Sequence, residues 1–237
     1  MQHERAPIRA DLLDIMRFLV VVYCYPPILV PATMCYVKVV KGLKDLGHDV
    51  EIVTIDHRSF DAPSKGLFDP TMNQVAPDGV VNHIIWSWEA NPLIKALKRF
   101  NPIRNLLYPL FEPRKHEWVF PALRYLSRLE LEGFDAILTC SKPDSNHLVG
   151  LELKRRLNIP WVAYFSDPWV DMPWHKYSSE RIAAYHRALE TKVMRGADHI
   201  LFTSDETRSL VMSKYSTEFQ AKSGVLPHCF VPDWYNR

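Results

Sequence analysis

Glycine is scarce in this chain, eight residues in 237, against eighteen prolines. That balance excludes a linker-rich or low-complexity chain and points to a globular domain with stiff loops. It also removes a class of cofactor. A dinucleotide-binding protein places three close glycines after its first strand so that a pyrophosphate can reach the backbone. The corresponding loop here holds Tyr25, Pro26, Pro27 and Pro31, so no nicotinamide or flavin role is expected. An excess of one charge is missing too. A net charge of +2 gives no global attraction to nucleic acid. The four cysteines, Cys24, Cys35, Cys140 and Cys229, form no C-x-x-C pair and have no histidine at zinc-finger spacing. They fit free thiols in a reducing compartment. The longest apolar run, residues 18–32, contains three prolines and is too short to span a membrane. Asp11 and Asp14 interrupt any apolar core of a signal peptide. A cytoplasmic protein is expected, with residues 1–15 a disordered extension ahead of a start at Met16. Walker, His-Glu-x-x-His, Gly-x-Ser-x-Gly and Asp-x-Asp patterns are all lacking.

What is present is organised around residues 17–54. The run 18–23 is continuously apolar with β-branched Val20 to Val22 at its centre, as a strand buried on both faces must be. Residues 32–46 put Tyr36, Val37, Val40 and Leu43 on one helical side and Lys38, Lys41 and Lys44 on the other. Gly47 stands where a helix ends, and Val50, Ile52 and Val53 open a second strand. Strand, crossover helix and parallel strand form a right-handed βαβ unit. Further strands are expected at 80–86, 134–139, 160–165, 198–203 and 224–226, with helices within 91–131, 141–158, 181–196 and 204–215. Residues 55–79 read as a long loop, and prolines 102, 109, 113 and 121 as breaks in the 91–131 helical stretch. The alternation makes this one α/β domain, Rossmann-like and doubly wound around a mostly parallel sheet.

Residues 95–128 carry eight lysines and arginines against two glutamates, interleaved with Phe, Leu, Tyr and Trp. That composition suits either an anionic membrane surface or solvated helix faces whose apolar sides pack on the sheet. Two strand ends carry the site candidates. After 134–139 comes Cys140-Ser-Lys-Pro-Asp-Ser-Asn-His147, where Ser141, Ser145 and backbone N–H groups would greet an anion at a helix N-terminus with Lys142 adding a positive charge, or Ser141 or Asp144 would merely cap it. After 160–165 comes Ser166-Asp-Pro-Trp-Val-Asp-Met-Pro-Trp174. Asp167 there can accept a hydrogen bond from a ligand hydroxyl, and Trp169 and Trp174 can stack on a sugar face or a lipid. Asp167, Asp171 and His175 are spaced by four, but Pro168 and Pro173 break any helix aligning them, so no metal site is read.

Tyr-Pro-Pro after the first strand, then Leu-Gly-His-Asp-Val-Glu-Ile-Val-Thr at 46–54 and the Asp-Pro-Trp turn at 167–169, resemble family 4-type GT-B glycosyltransferases. The first loop reads Val30-Pro31-Ala32-Thr33 where many relatives have a Gly-Gly pair. The resemblance implies that residues 16–237 are the N-terminal, acceptor-side half of a retaining enzyme, ending at the crossing to a donor domain that this chain lacks. It implies an acceptor surface of Tyr25, Pro27, Ala32, Thr33, Ser141, Lys142, Asn146, Asp167, Trp169 and Trp174, with His228 on the interdomain, donor side. It further implies a nucleoside diphosphate sugar as donor, a glycan or lipid-linked acceptor, no metal and no other cofactor, and no transfer by the chain alone. A partner subunit of a split glycosyltransferase, or a sugar-nucleotide epimerase-like GT-B protein, are the alternatives.

Overall fold

The computed structural model describes residues 14–60, 67–107, 113, 115–172 and 176–234. Seven strands form one sheet in the order β3-β2-β1-β4-β5-β6-β7, and every pair in it is parallel. They are β1 (Arg17–Val21), β2 (Asp49–Ile55), β3 (Val81–Ile85), β4 (Ala136–Cys140), β5 (Trp161–Phe165), β6 (His199–Phe202) and β7 (Ser223–Val225). The helices are α1 (Pro31–Asp45), α2 (Pro92–Arg99), α3 (Asn101–Leu106), α4 (Val119–Leu126), α5 (Asn146–Leu157), α6 (Glu180–Gly196), α7 (Asp205–Met212) and α8 (Thr217–Ala221).

Side chains alternate across each strand, so the apolar runs feed two cores. Val20, Ile52, Leu138 and Tyr164 meet the Tyr36, Val37 and Val40 face of α1 on one side. Leu19, Val21, Ile137, Trp161 and Ala163 meet α4, α5, α6 and α7 on the other. The chain winds outward through β2 and β3, then returns to lay β4 beside β1 and winds the opposite way. That reversal opens a crevice beyond the carboxyl ends of β1 and β4, where open parallel sheets take their ligands.

Several local expectations need correction. Residues 55–79 are not loop throughout. Asp56 and Asp69 cap the 3-10 turns His57–Ser59 and Pro70–Val75, and Phe68 bridges to Ile28. The helical stretch does break ahead of Pro102, between the end of α2 at Arg99 and the start of α3 at Asn101, whereas no break falls at Pro121. Each proline sits in the first turn of its helix, where a missing N–H costs no hydrogen bond. The helix expected over 204–215 stops at Met212, and α8 follows it. Residues 1–13 and Pro109 lie outside the described residues.

The tightest joint in the fold is α5 on β4 and β5. A Cβ at Gly150 would come within 2.5 Å of the Thr139 methyl and 2.6 Å of the Trp161 indole nitrogen. Beside it Trp161 Nε1 donates to Thr139 Oγ1 at 2.9 Å, and Thr139 Oγ1 lies 2.8 Å from His147 Nδ1. Burial holds the His147 imidazole down to about 3, with the Lys142 charge adding to the shift.

Two outcomes follow from this joint. Gly150→Ala lowers stability by about 2 kcal/mol through overpacking, measured by urea unfolding. For His147 the folded state holds fewer protons than the unfolded chain between about 3 and the ordinary 6.5, so its contribution is full above 6.5 and is lost as pH falls toward 3. Melting temperatures taken from pH 7 to pH 4 therefore fall less steeply in His147→Asn than in the parent chain, although the variant is less stable at pH 7.

Candidate functional site

Two helices point their N-termini into the crevice without side-chain caps. The residue before α1 is Val30, and Pro31 opens the helix. α5 begins after Ser145, whose hydroxyl donates to the Lys115 carbonyl at 3.3 Å instead of capping. Neither Ser141 nor Asp144 caps α5, so the capping reading of this turn is not what the structure adopts. At the β1 exit the Tyr25 hydroxyl and Thr33 Oγ1 are buried and have no partner among the described residues. Burial alone raises the Tyr25 phenol well above its ordinary range.

The exits of β4 and β5 are tied together by one serine. Ser166 N donates to Ser141 Oγ at 3.2 Å, while Ser166 Oγ lies 3.0 Å from the Ser141 carbonyl and 3.2 Å from Asp167 Oδ2. The other carboxylate oxygen of Asp167 has no hydrogen-bond partner among the described residues. Opposite stands His228. Its Nδ1 lies 3.3 Å from the Tyr164 hydroxyl and its Nε2 3.7 Å from Cys35 Sγ, which attaches the segment after β7 to both β5 and α1. Partial burial lowers the His228 imidazole, the Lys38 charge lowers it further, and Asp167 opposes both.

Ser141, Asp167 and His228 are thus gathered at one place, with Tyr25 and Thr33 at the neighbouring strand exit. Other expected residues are placed differently. Lys142 is not a free positive charge, because its ammonium binds Asp144 at 3.0 Å and the Pro168 carbonyl at 3.3 Å. Burial raises the Asp144 carboxyl, and Lys142 offsets part of that rise. Asn146 spends its amide on the Cys140 carbonyl at 2.5 Å. Trp169 is 2% exposed, and its Nε1 donates to His186 Nδ1 at 2.9 Å, so the ring serves the α6 interface and is not offered for stacking. Ala32 packs in the α1 core, and the Pro27 carbonyl accepts from Asp69 N at 3.0 Å. Trp174 and His175 lie outside the described residues. Asp171 pairs with Lys214, and among the described residues no cluster of three His, Cys, Asp or Glu side chains is arranged for a metal.

A charged network also reaches the crevice, from residues that the sequence reading passed over. Glu89, just past β3, is 2% exposed and is bound by Lys115 and by the Tyr23 hydroxyl. The Lys115 ammonium lies 5.5 Å from the Tyr23 ring centroid and 5.0 Å from that of Phe60. Beside it the buried Glu117 is bound by Lys98. Burial pushes the nearby Cys24 thiol up to about 12 against the pull of Lys115. The signal was a glutamate following two tryptophans at the carboxyl end of a strand, Trp86-Ser-Trp-Glu89. Lys115→Met removes a cation from the buried Glu89 carboxylate and lowers stability by up to about 3–5 kcal/mol. Chemical unfolding of the double variant Glu89→Gln/Lys115→Met recovers a substantial part of that loss.

With this geometry in hand, comparison with known proteins is informative. The model of the glycosyl transferase 4-like domain matches residues 34–216. No curated protein matches the chain. Among solved structures, Anabaena Alr3699/HepE in complex with UDP and glucose superposes with a TM-score of 0.51 at 14% identity, over 93% of this chain and 46% of that one. The N-terminal domain of Candida albicans trehalose-6-phosphate phosphatase gives 0.49 at 13% identity, over 89% and 48%. The spinosyn rhamnosyltransferase SpnG gives 0.43 at 19% identity, over 79% and 45%. The chain therefore spans about half the length of the structures it resembles. The likeness to HepE is one of fold, a Rossmann-like α/β domain corresponding to one half of a GT-B molecule. The family match runs from α1 through α7 and takes in both the Ser141 and Asp167 turns. This chain belongs to the glycosyl transferase 4-like domain family.

Proposed function

We propose that the chain is the acceptor-side domain of a retaining glycosyltransferase that moves a sugar from a nucleoside diphosphate sugar to a hydroxyl of a glycan or lipid-linked acceptor. One observation carries this reading. Asp167 stands at the carboxyl end of β5 beside the crevice, with one oxygen held by Ser166 and the other without a hydrogen-bond partner among the described residues. A carboxylate so placed accepts the O–H of an incoming hydroxyl and turns its lone pair toward the reacting carbon, which is the orientation that group transfer needs. The uncapped N-termini of α1 and α5 favour negative charge that develops nearby.

Further support comes from the comparisons. The structure of HepE was solved with UDP and glucose, so a UDP-sugar is the donor class that we favour. In the whole enzyme a second Rossmann-like domain holds that donor across the crevice, and closure of the two excludes water. The present domain then binds acceptor, and transfer requires both halves. His228, on the exposed segment after β7, faces the donor side. The Tyr25 and Thr33 hydroxyls at the β1 exit are buried, so they reach an acceptor only if that loop moves on binding. Four free thiols suit a reducing, cytoplasmic setting. Among the described residues no helix is long and apolar enough to cross a membrane.

A panel of glycans and lipid-linked saccharides is titrated onto the chain by saturation-transfer NMR. At least one saccharide binds, and Asp167→Asn weakens it about tenfold or more, as loss of a hydrogen bond to a charged group requires. Failure of every saccharide to bind, or equal binding by Asp167→Asn, sinks the assignment.

A further inference from the structure

The counted excess of basic residues over 95–128 is not the charge that the surface presents. Lys98 and Lys115 are spent on the buried Glu117 and Glu89. Arg124 and Arg128 remain exposed, and neither side chain pairs with any group among the described residues. Both line a shallow groove of about 290 Å³ between β3 and α4. Ile84, Trp86, Trp88 and Pro121 supply apolar wall, and no carboxylate lines the groove.

The apolar surface extends well beyond the groove. Trp86 is 53% exposed and Phe120 54%, with Trp88 stacked at a tilt on Phe120 at 4.9 Å between centroids. Past them α2 and α3 hold out Leu93 and Leu106, and Arg99 in the last turn of α2 adds a further exposed cation. Aliphatic and indole side chains lie here beside Arg99, Arg124 and Arg128, none of whose side chains pairs with a group among the described residues.

We infer that this face, formed by the β3 edge, Trp86, Trp88, α2 and α4, docks on an anionic lipid membrane. Charge decides the occupant. Unpaired arginines next to exposed tryptophans match acidic headgroups lying over an apolar layer. A second copy meeting this face across a two-fold axis sets the same arginines near one another, which is unfavourable. Trp86 and Trp88 follow the carboxyl end of β3, so docking brings the membrane to the end of the sheet where the crevice opens. The inference does not depend on which acceptor the crevice takes.

The test is co-sedimentation of the 237-residue chain with phosphatidylcholine vesicles, with and without about a third phosphatidylserine. The chain pellets with the anionic vesicles only and is released by high salt. Arg124→Gln/Arg128→Gln weakens binding about thirtyfold at unchanged melting temperature. Spin-labelled lipid quenches tryptophan emission of the unaltered chain, and Trp86→Phe reduces that quenching. The inference is overturned by no binding, by equal binding to neutral vesicles, or by binding that ignores the arginine change. A concentration-dependent dimer that protects Trp86 from quenching in the absence of lipid overturns it too.

Discussion

A parallel sheet must be covered on both faces, and here the covering closes most tightly where α5 lies on β4 and β5. Gly150 lets the helix come down onto the Trp161 indole, and the indole in turn anchors Thr139 and His147. The position of that helix sets the turn that precedes it, residues 141–145. Nothing in this joint touches a ligand. Yet the depth at which α5 sits decides where Ser141 stands relative to Ser166, so packing inside the sheet controls the geometry outside it. The backbone of the turn runs through cis peptides at Ser141–Lys142 and Lys142–Pro143.

The crevice is assembled from segments far apart in sequence, each one the exit of a different strand. β1 delivers Tyr25 and Thr33, β3 delivers Glu89, β4 delivers Ser141, β5 delivers Asp167, and the segment after β7 delivers His228. Electrostatics separates two kinds of charge among them. Glu89 and Glu117 are neutralised in place by lysines, and Lys142 by Asp144. Asp167 is held by a hydroxyl alone, which leaves acceptor capacity unused. A charge so arranged is suited to a visiting group, and one matched to a permanent partner is not.

Strand and helix order was legible in the sequence because both faces of the central strands are buried. Continuous apolar runs such as 18–22 and the spacing of Tyr36, Val37 and Val40 record burial directly. The Asp167 turn was legible because a strand end in a parallel sheet faces the crevice whatever its neighbours do. Trp169 and Lys142 were misjudged for one shared reason. A tryptophan or lysine in a loop reads the same whether it meets solvent or a partner, and His186 and Asp144 are partners set by tertiary packing. Glu89 escaped for the converse reason, since its lysine is supplied from residue 115, across α2 and α3. The basic stretch 95–128 misled in the same way, because counting charge along a chain cannot tell which cations face inward.

Ser141 and Ser166 join the two central strand exits by pairing each one's hydroxyl with the other's backbone: Ser166 N–H meets Ser141 Oγ, and the Ser166 hydroxyl meets the Ser141 carbonyl. A frame held this way makes few demands on the side chains farther along each loop. The loops beyond it can change composition without the strand ends moving apart. The architecture therefore separates the scaffold from what it recognises: the tie between β4 and β5 can stay in place while the rims around it diverge.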